Sequence, residues 1–225
     1  MKKENFSITC SDNVRLGGVL FIPDHPKAVV QFNGGTAVRK DFYFPFLEYL
    51  AGQGFICCAW DYRGSGDSAP EDLRNCDHYF RDYGLKDMPA IRDYLAGRFR
   101  GLPMLLVTHS VGGQQVGFIP DPGSFSGMLC FAVSTGYSRN MPFAFRLLTF
   151  FYFYIFTPVS ILFTGYSRSR LISSMENLPR NVVLEWRSWC SKPTYFFDPS
   201  FYGKTVPKGN FDRIPYPVHT CICPG

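Results

Sequence analysis

A serine followed by two glycines is the part of the sequence best suited to chemistry, within residues 105–114, LLVTHSVGGQ. An apolar, strand-like run leads into Ser110, and Gly112 and Gly113 then open a helix. Small residues around a serine let the backbone turn sharply, so that the hydroxyl projects above the end of the strand. The pattern predicts Ser110 as a nucleophile and the amide of Val111 as a donor to developing negative charge. The alternative is that Ser110 only caps the helix, a common role for serine.

A second glycine turn, NGGTA at residues 33–37, follows an earlier apolar strand. It can supply the other donor of an oxyanion hole, and we predict the amide of Gly35 for this role. The two turns together favour the nucleophile over the helix cap. Thr36 and His109 are predicted to line the substrate pocket, although the His109 side chain is expected to point away from that of Ser110. Arg39 and Tyr43 are further pocket candidates by position alone.

Elements that alternate along the chain must position these two turns. Continuous apolar strands separated by helices predict a mostly parallel sheet covered by helices on both faces, an α/β fold. An antiparallel pair is predicted first, over 5–9 and 14–22, with a turn at 11–13. The later strands are predicted at 28–32, 55–60, 105–108, 127–133 and 217–223, and the helices at 41–52, 83–99 and 180–190.

The composition indicates a globular protein, because 46% of the 225 residues are hydrophobic and 18% are charged. The net charge of +5 is spread along the chain without a Lys/Arg block, so no nucleic-acid partner is expected. Much of the 17% aromatic content lies in residues 141–166, which hold a single charge, Arg146. We predict a helical cap over the sheet there. Membrane contact is possible only through this segment, because its uncharged run 147–163 just reaches the lower limit for a bilayer-spanning helix.

The first ten residues, MKKENFSITC, contain no apolar run, so a secretory signal peptide is not expected. We therefore expect a cytoplasmic location. The eight cysteines are then predicted to be reduced thiols. Cys221 and Cys223 lack a second pair of ligands at zinc spacing, and we expect neither a metal nor a cofactor.

The order strand–NGG, strand–DYRGSGDS, strand–THSVGG resembles the α/β-hydrolase fold over residues 14–135. Within that fold the chain is similar to a bacterial group of predicted serine hydrolases with N-G-x-T, DYRG and H-S-x-G-G-Q motifs. Their LP…W..WC…P.Y.FD segment corresponds here to Leu178-Pro179, Trp186, Trp189-Cys190, Pro193, Tyr195 and Phe197-Asp198. The resemblance implies ester-type hydrolysis. The two glycine turns together with the aromatic segment predict a substrate that is an ester or thioester with an apolar acyl group. The resemblance also implies a core at 1–136, a cap at 137–190 and a return to the core at 191–225.

Two features depart from the pattern of that fold. Thr108 replaces the first glycine of the elbow, and its branched side chain crowds a tight turn. The fold also places an acid and then a histidine after the serine, whereas here only His219, within a predicted strand, follows Ser110. We therefore expect a C-terminally incomplete core without the triad acid and histidine, and impaired turnover.

The charged residues Asp61, Arg63 and Asp67 are predicted to hold their loop rather than to react. Two alternatives to a serine hydrolase remain open. One is a non-catalytic protein of the same fold that binds a lipid or a partner, and the other is a protein anchored in a membrane by residues 141–166. The oligomeric state is not predicted.

Overall fold

A computed structural model describes residues 1–221 and contains a seven-stranded sheet. The strand order is β1-β2-β4-β3-β5-β6-β7. β2 pairs antiparallel with both β1 and β4, and all the remaining pairs are parallel, which confirms the predicted mostly parallel sheet. The strands are β1 (Lys2–Thr9), β2 (Arg15–Ile22), β3 (Ala28–Asn33), β4 (Phe55–Trp60), β5 (Met104–His109), β6 (Gly127–Phe131) and β7 (Val218–Cys221).

Helices cover both faces of the sheet, also as predicted. Successive residues of β3 serve opposite faces: Val29 packs in the larger core with α2, and Val30 packs in the smaller core with α1. Both side chains are fully buried or nearly so, which explains why the strand is apolar throughout. The helices are α1 (Phe44–Gly52), α2 (Met88–Arg98), α3 (Val111–Gln114), α4 (Phe143–Phe151), α5 (Thr157–Thr164) and α6 (Arg180–Cys190).

The predicted elements differ from the observed ones mainly at their ends. A 3₁₀ turn at Lys40–Tyr43 precedes α1, and a wide π turn at Tyr83–Asp87 precedes α2. Each regular helix then has a proline in its first turn, where the missing N–H breaks no hydrogen bond. β6 ends two residues earlier than predicted, because Ala132 has a positive φ of 49° and leaves the extended conformation. Residues 222 and 223 of the predicted last strand lie outside the described residues.

The aromatic insertion forms one continuous helix, Phe143–Thr164, which we call the cap helix. It consists of α4, a π turn at Tyr152–Phe156 and α5. Pro158 lies in the first turn of α5, and the wide turn before it accommodates the proline ring without ending the helix. Among residues 1–221, the cap helix is the one helix long and apolar enough to cross a membrane.

Candidate active site

Ser110 lies at an abrupt turn between β5 and α3. Its φ of 51° and ψ of −118° are strained for a residue with a side chain, and such strain is concentrated at functional sites. Its side chain makes no capping hydrogen bond to α3, so the helix-cap alternative is not what the structure contains. Thr108 remains within β5, two residues before the turn, and its extended backbone avoids the expected crowding. The amide of Val111 opens α3, where a helix supplies no acceptor for it.

Close packing between α3 and the end of β3 fixes this turn. A Cβ atom on Gly112 would lie 2.6 Å from the carbonyl carbon of Asn33 and closer still to its oxygen. The side-chain nitrogen Nδ2 of Asn33 donates to the carbonyl of Gly112 over 3.4 Å, and its side-chain oxygen Oδ1 accepts from Nε2 of Gln31 over 3.0 Å. Glycine at 112 is therefore required by close backbone contact, which brings the two predicted turns together.

A cavity of about 720 Å³ opens beside Ser110. Four of the predicted site residues line it together, namely Gly35, Thr36, His109 and Ser110, whereas Val111, Arg39 and Tyr43 do not. The opposite wall is apolar and comes mainly from the cap helix, the segment before it and α6. This wall contains Met141, Pro142, Phe145, Leu148, Tyr152, Phe153, Trp186 and Cys190.

The amide of Gly35 is already engaged, which differs from the free donor expected of an oxyanion hole. It donates to the hydroxyl of Tyr43 over 2.9 Å, and that hydroxyl lies 2.8 Å from Nδ1 of His109. Either Tyr43 or His109 can be the donor in the second contact, because a hydroxyl has one proton and two acceptor lone pairs, and the imidazole tautomer decides the direction. Burial raises the pKa of Tyr43 to about 12 and lowers the pKa of His109, so both side chains are neutral at pH 7.

The sequence pattern does not indicate this arrangement. Tyr43 was a pocket candidate by position, but the structure places it behind the glycine turn, packed on Phe32 with its ring buried. The turn reaches it because residues 40–43 coil into a 3₁₀ turn, which no motif predicts. The hydroxyl thus supports both the Gly35 amide and the His109 ring.

Asp61 and Asp67 hold the loop after β4, as predicted. The carboxylate of Asp61 accepts from the backbone amide and the ammonium of Lys40, over 2.8 and 2.7 Å, and from the amide of Asp67. Lys40 also reaches Asp67 over 2.5 Å and is almost completely buried. This ion pair ties the loop after β4 to the chain that follows the glycine turn, and the sequence pattern did not indicate Lys40.

Arg63 performs a similar structural role on the other side of the same loop. Its guanidinium donates to Asp87 over 2.6 Å and to Asp12 over 2.7 Å, and its backbone amide also donates to Asp87. The side chains of Arg63 and Asp87 are both fully buried. Burial raises the pKa of Asp87 to about 6, because loss of hydration outweighs the attraction of Arg63.

None of the four histidines is hydrogen-bonded to Ser110 within residues 1–221. His109 contacts Tyr43, and His25 is exposed on the loop before β3, at the opposite end of the parallel strands. His78 lies near Gly64, and burial lowers its pKa to about 4. His219 lies on β7 and lines a separate apolar groove beside α1.

Two acids that lie between Ser110 and His219 in the chain are not placed beside either residue's side chain by a hydrogen bond within residues 1–221. Asp198 accepts from the backbone amide and the hydroxyl of Ser200, and Asp212 is exposed. The seven cysteines in the described part of the chain are free thiols, and Cys223 lies beyond it. Over the same residues, no group of three or more His, Cys, Asp or Glu side chains is arranged to hold a metal ion.

The sheet, the strained serine turn and the second glycine turn define an α/β hydrolase. The chain belongs to the serine aminopeptidase family S33, whose family model matches residues 24–175. No curated protein matches the chain.

Solved structures share the fold at low sequence identity. A highly thermostable carboxyl esterase from Bacillus coagulans matches with a TM-score of 0.59 and 14% identity, over 100% of this chain and 91% of its own. A lipase in its open form matches with a TM-score of 0.57 and 15% identity, over 98% of this chain and 90% of its own. An esterase from Pyrococcus furiosus matches with a TM-score of 0.51 and 19% identity, over 63% of this chain. The chain spans 57% of that esterase and 50% of DcsB, whose match has a TM-score of 0.51 and 15% identity.

Proposed function

We propose that this protein is a serine hydrolase that acts on a carboxylic ester or thioester with an apolar acyl group. The observation that carries the proposal is the strained turn at Ser110 beside Gly35 and Thr36, at the edge of one cavity. Ester hydrolysis is also the chemistry in the names of the Bacillus coagulans carboxyl esterase and the lipase that share this fold.

In the proposed reaction, Oγ of Ser110 attacks the carbonyl carbon and forms a tetrahedral intermediate, while its proton passes to water, which later protonates the leaving alcohol or thiol. The amide of Val111 donates to the oxyanion, and an amide of the 35–36 turn donates from the other side. Collapse of the intermediate expels the alcohol or thiol and leaves an acyl group on Ser110, which water then removes. The Gly35 amide can donate to the oxyanion only after its hydrogen bond to the hydroxyl of Tyr43 is broken.

The cavity supports the choice of an apolar acyl group. Phe145, Leu148 and Phe153 form an apolar wall opposite Ser110, and an acyl chain placed there would lose contact with water. Thr36, His109 and Gln114, which lie in the two turns and in α3, are polar residues of the same lining. Longer acyl chains are therefore expected to bind more tightly than acetyl.

Turnover by these residues is expected to be slow. A serine hydroxyl is a weak nucleophile without a general base, and no histidine contacts Ser110 within residues 1–221. The same observation favours the second candidate function, a protein that binds an apolar acyl compound in this cavity without hydrolysing it.

Labelling with a fluorophosphonate separates the two candidates. We expect slow labelling at a single site, its loss in Ser110→Ala, and its retention in Ser134→Ala, a control serine lining the same cavity. Added imidazole should accelerate the labelling several-fold, because it supplies a base that no histidine within residues 1–221 provides at Ser110. The modified residue is identified by mass spectrometry, and p-nitrophenyl acetate and octanoate report the preference for acyl length. A protein that binds fatty acid but never labels would establish the binding function, and label on another residue would contradict both.

The role of the Gly35 amide is tested by Tyr43→Phe. Removing the hydroxyl frees the amide for the oxyanion, and a hydrogen bond contributes about 0.5–1.5 kcal/mol. We therefore expect the rate of fluorophosphonate labelling to rise by about two- to tenfold. Phe42→Leu, at the exposed neighbouring position, should leave the rate unchanged. A slower rate in Tyr43→Phe would show that Tyr43 supports the site and that Gly35 is not released from it.

A further inference from the structure

The cap helix has two faces with different surroundings. Tyr152, Phe153, Thr157 and Ser160 are buried against the rest of the protein. The hydroxyl of Tyr152 lies 2.7 Å from that of Ser169, and the hydroxyl of Ser160 donates to a backbone carbonyl over 2.9 Å. These contacts hold the helix flat against the protein along one side.

The opposite face of the cap helix is apolar and open to solvent. Eleven large apolar or aromatic side chains between residues 143 and 163 are between 43% and 80% exposed. Leu147, Phe151, Ile155, Val159 and Phe163 follow one another at intervals of four residues and so form one continuous stripe. A contiguous exposed apolar surface of this kind marks an interaction site rather than ordinary surface variation.

The charged residues in the segment that contains the cap helix are all of one sign. Residues 137–175 contain four arginines and no Asp or Glu. Arg139, Arg146 and Arg168 are exposed, and none of them forms an ion pair within the described part of the chain. An apolar helix face with cationic side chains around it is complementary to a bilayer that presents anionic headgroups.

We propose that the outward face of the cap helix docks the protein on the surface of an anionic phospholipid bilayer, with the helix lying in the plane of the interface. The apolar stripe enters the boundary between headgroups and acyl chains, and the arginines contact lipid phosphates. A spanning orientation would remove the helix from its packed side, break the hydrogen bonds of Tyr152 and Ser160, and expose those polar groups to lipid. Peripheral docking retains these contacts.

The docking face continues into the cavity. Phe145 and Leu148 are more than half exposed and also line the cavity beside Ser110. A lipid acyl chain could thus pass from the bilayer into the cavity without crossing water. This last step rests on the proposed function, whereas the docking itself does not.

Sedimentation with sucrose-loaded vesicles tests the docking independently of activity. We expect the purified chain to bind vesicles of phosphatidylcholine with about a third phosphatidylglycerol at least tenfold better than vesicles of phosphatidylcholine alone, with weaker binding at high salt. Leu162→Ser/Phe163→Ser should reduce binding to the anionic vesicles at least tenfold. Arg139→Gln/Arg146→Gln should remove the preference for anionic lipid. The matched control Phe42→Ser/Tyr49→Ser changes two aromatic residues before and within α1 that are also more than 60% exposed, and it should bind normally.

The outcomes distinguish this proposal from its alternatives. Leu162 and Phe163 do not line the cavity, so their variant should be labelled at Ser110 as fast as the original protein when vesicles are absent. Equal binding to both kinds of vesicle, or no binding, would overturn the proposal. Resistance of the bound protein to extraction by alkaline carbonate would indicate a spanning helix instead. A dimer that dissociates in Leu162→Ser/Phe163→Ser, without vesicle binding, would assign the face to a second copy of the chain.

Discussion

Gly112→Ala is expected to lower the free energy of unfolding by about 3 kcal/mol or more, at the upper end of what overpacking costs. The added carbon would lie 2.6 Å from the carbonyl carbon of Asn33, and neither atom belongs to a flexible side chain that can move aside. The backbones of α3 and β3 would have to separate. Since this contact also fixes the turn at Ser110, labelling of Ser110 by fluorophosphonate should fall at least tenfold in any protein that still folds.

Gly97→Ala is the matched control for that substitution. Gly97 lies in the last turn of α2, and a Cβ atom there would meet nothing within 4 Å. Alanine is the better helix former, so this variant should be at least as stable as the original protein and label normally. Urea-induced unfolding of both variants measures the difference. A Gly112→Ala protein as stable as the original would mean that α3 does not pack against β3 as described.

The sequence was sufficient to predict the strands and the serine turn because their signals are local. Residues 105–113 contain an apolar strand, a serine and two glycines in succession, and each step constrains the backbone directly. The structure has β5, the strained serine and α3 at these positions. Family membership agrees with this prediction over residues 24–175.

The partners of the site could not be predicted, because they depend on contacts between distant parts of the chain. The Gly35 amide meets Tyr43 only after the intervening residues coil, and Arg63 meets Asp87 across 24 positions. The orientation of the cap helix could not be predicted from the sequence for a different reason. Its exposed face is the more apolar one, because Thr157 and Ser160 lie on the packed face, so hydrophobic periodicity would assign the apolar face to the core.

Arg63→Met is expected to destabilise the protein by about 3–5 kcal/mol, because it leaves the buried carboxylate of Asp87 without its charged partner. Adding Asp87→Asn removes the unpaired charge and keeps an acceptor for the backbone amide of residue 63. We therefore expect the double variant to recover about 2 kcal/mol relative to the sum of the two single variants. Urea unfolding at pH 8 gives the three free energies.

The pH dependence of the same variant provides a second test. When the pKa of a carboxyl group is higher in the folded than in the unfolded state, the free energy of unfolding of the protein falls as the pH rises from the unfolded-state pKa to the folded-state pKa. Burial already raises the pKa of Asp87 to about 6 with Arg63 present, and removal of Arg63 raises this pKa further. The deficit of Arg63→Met should therefore be smaller at pH 5, where the carboxyl is protonated, than at pH 8. A deficit below 1 kcal/mol, or one equal at both pH values, would show that the Arg63–Asp87 pair does not hold the loop beside the active site.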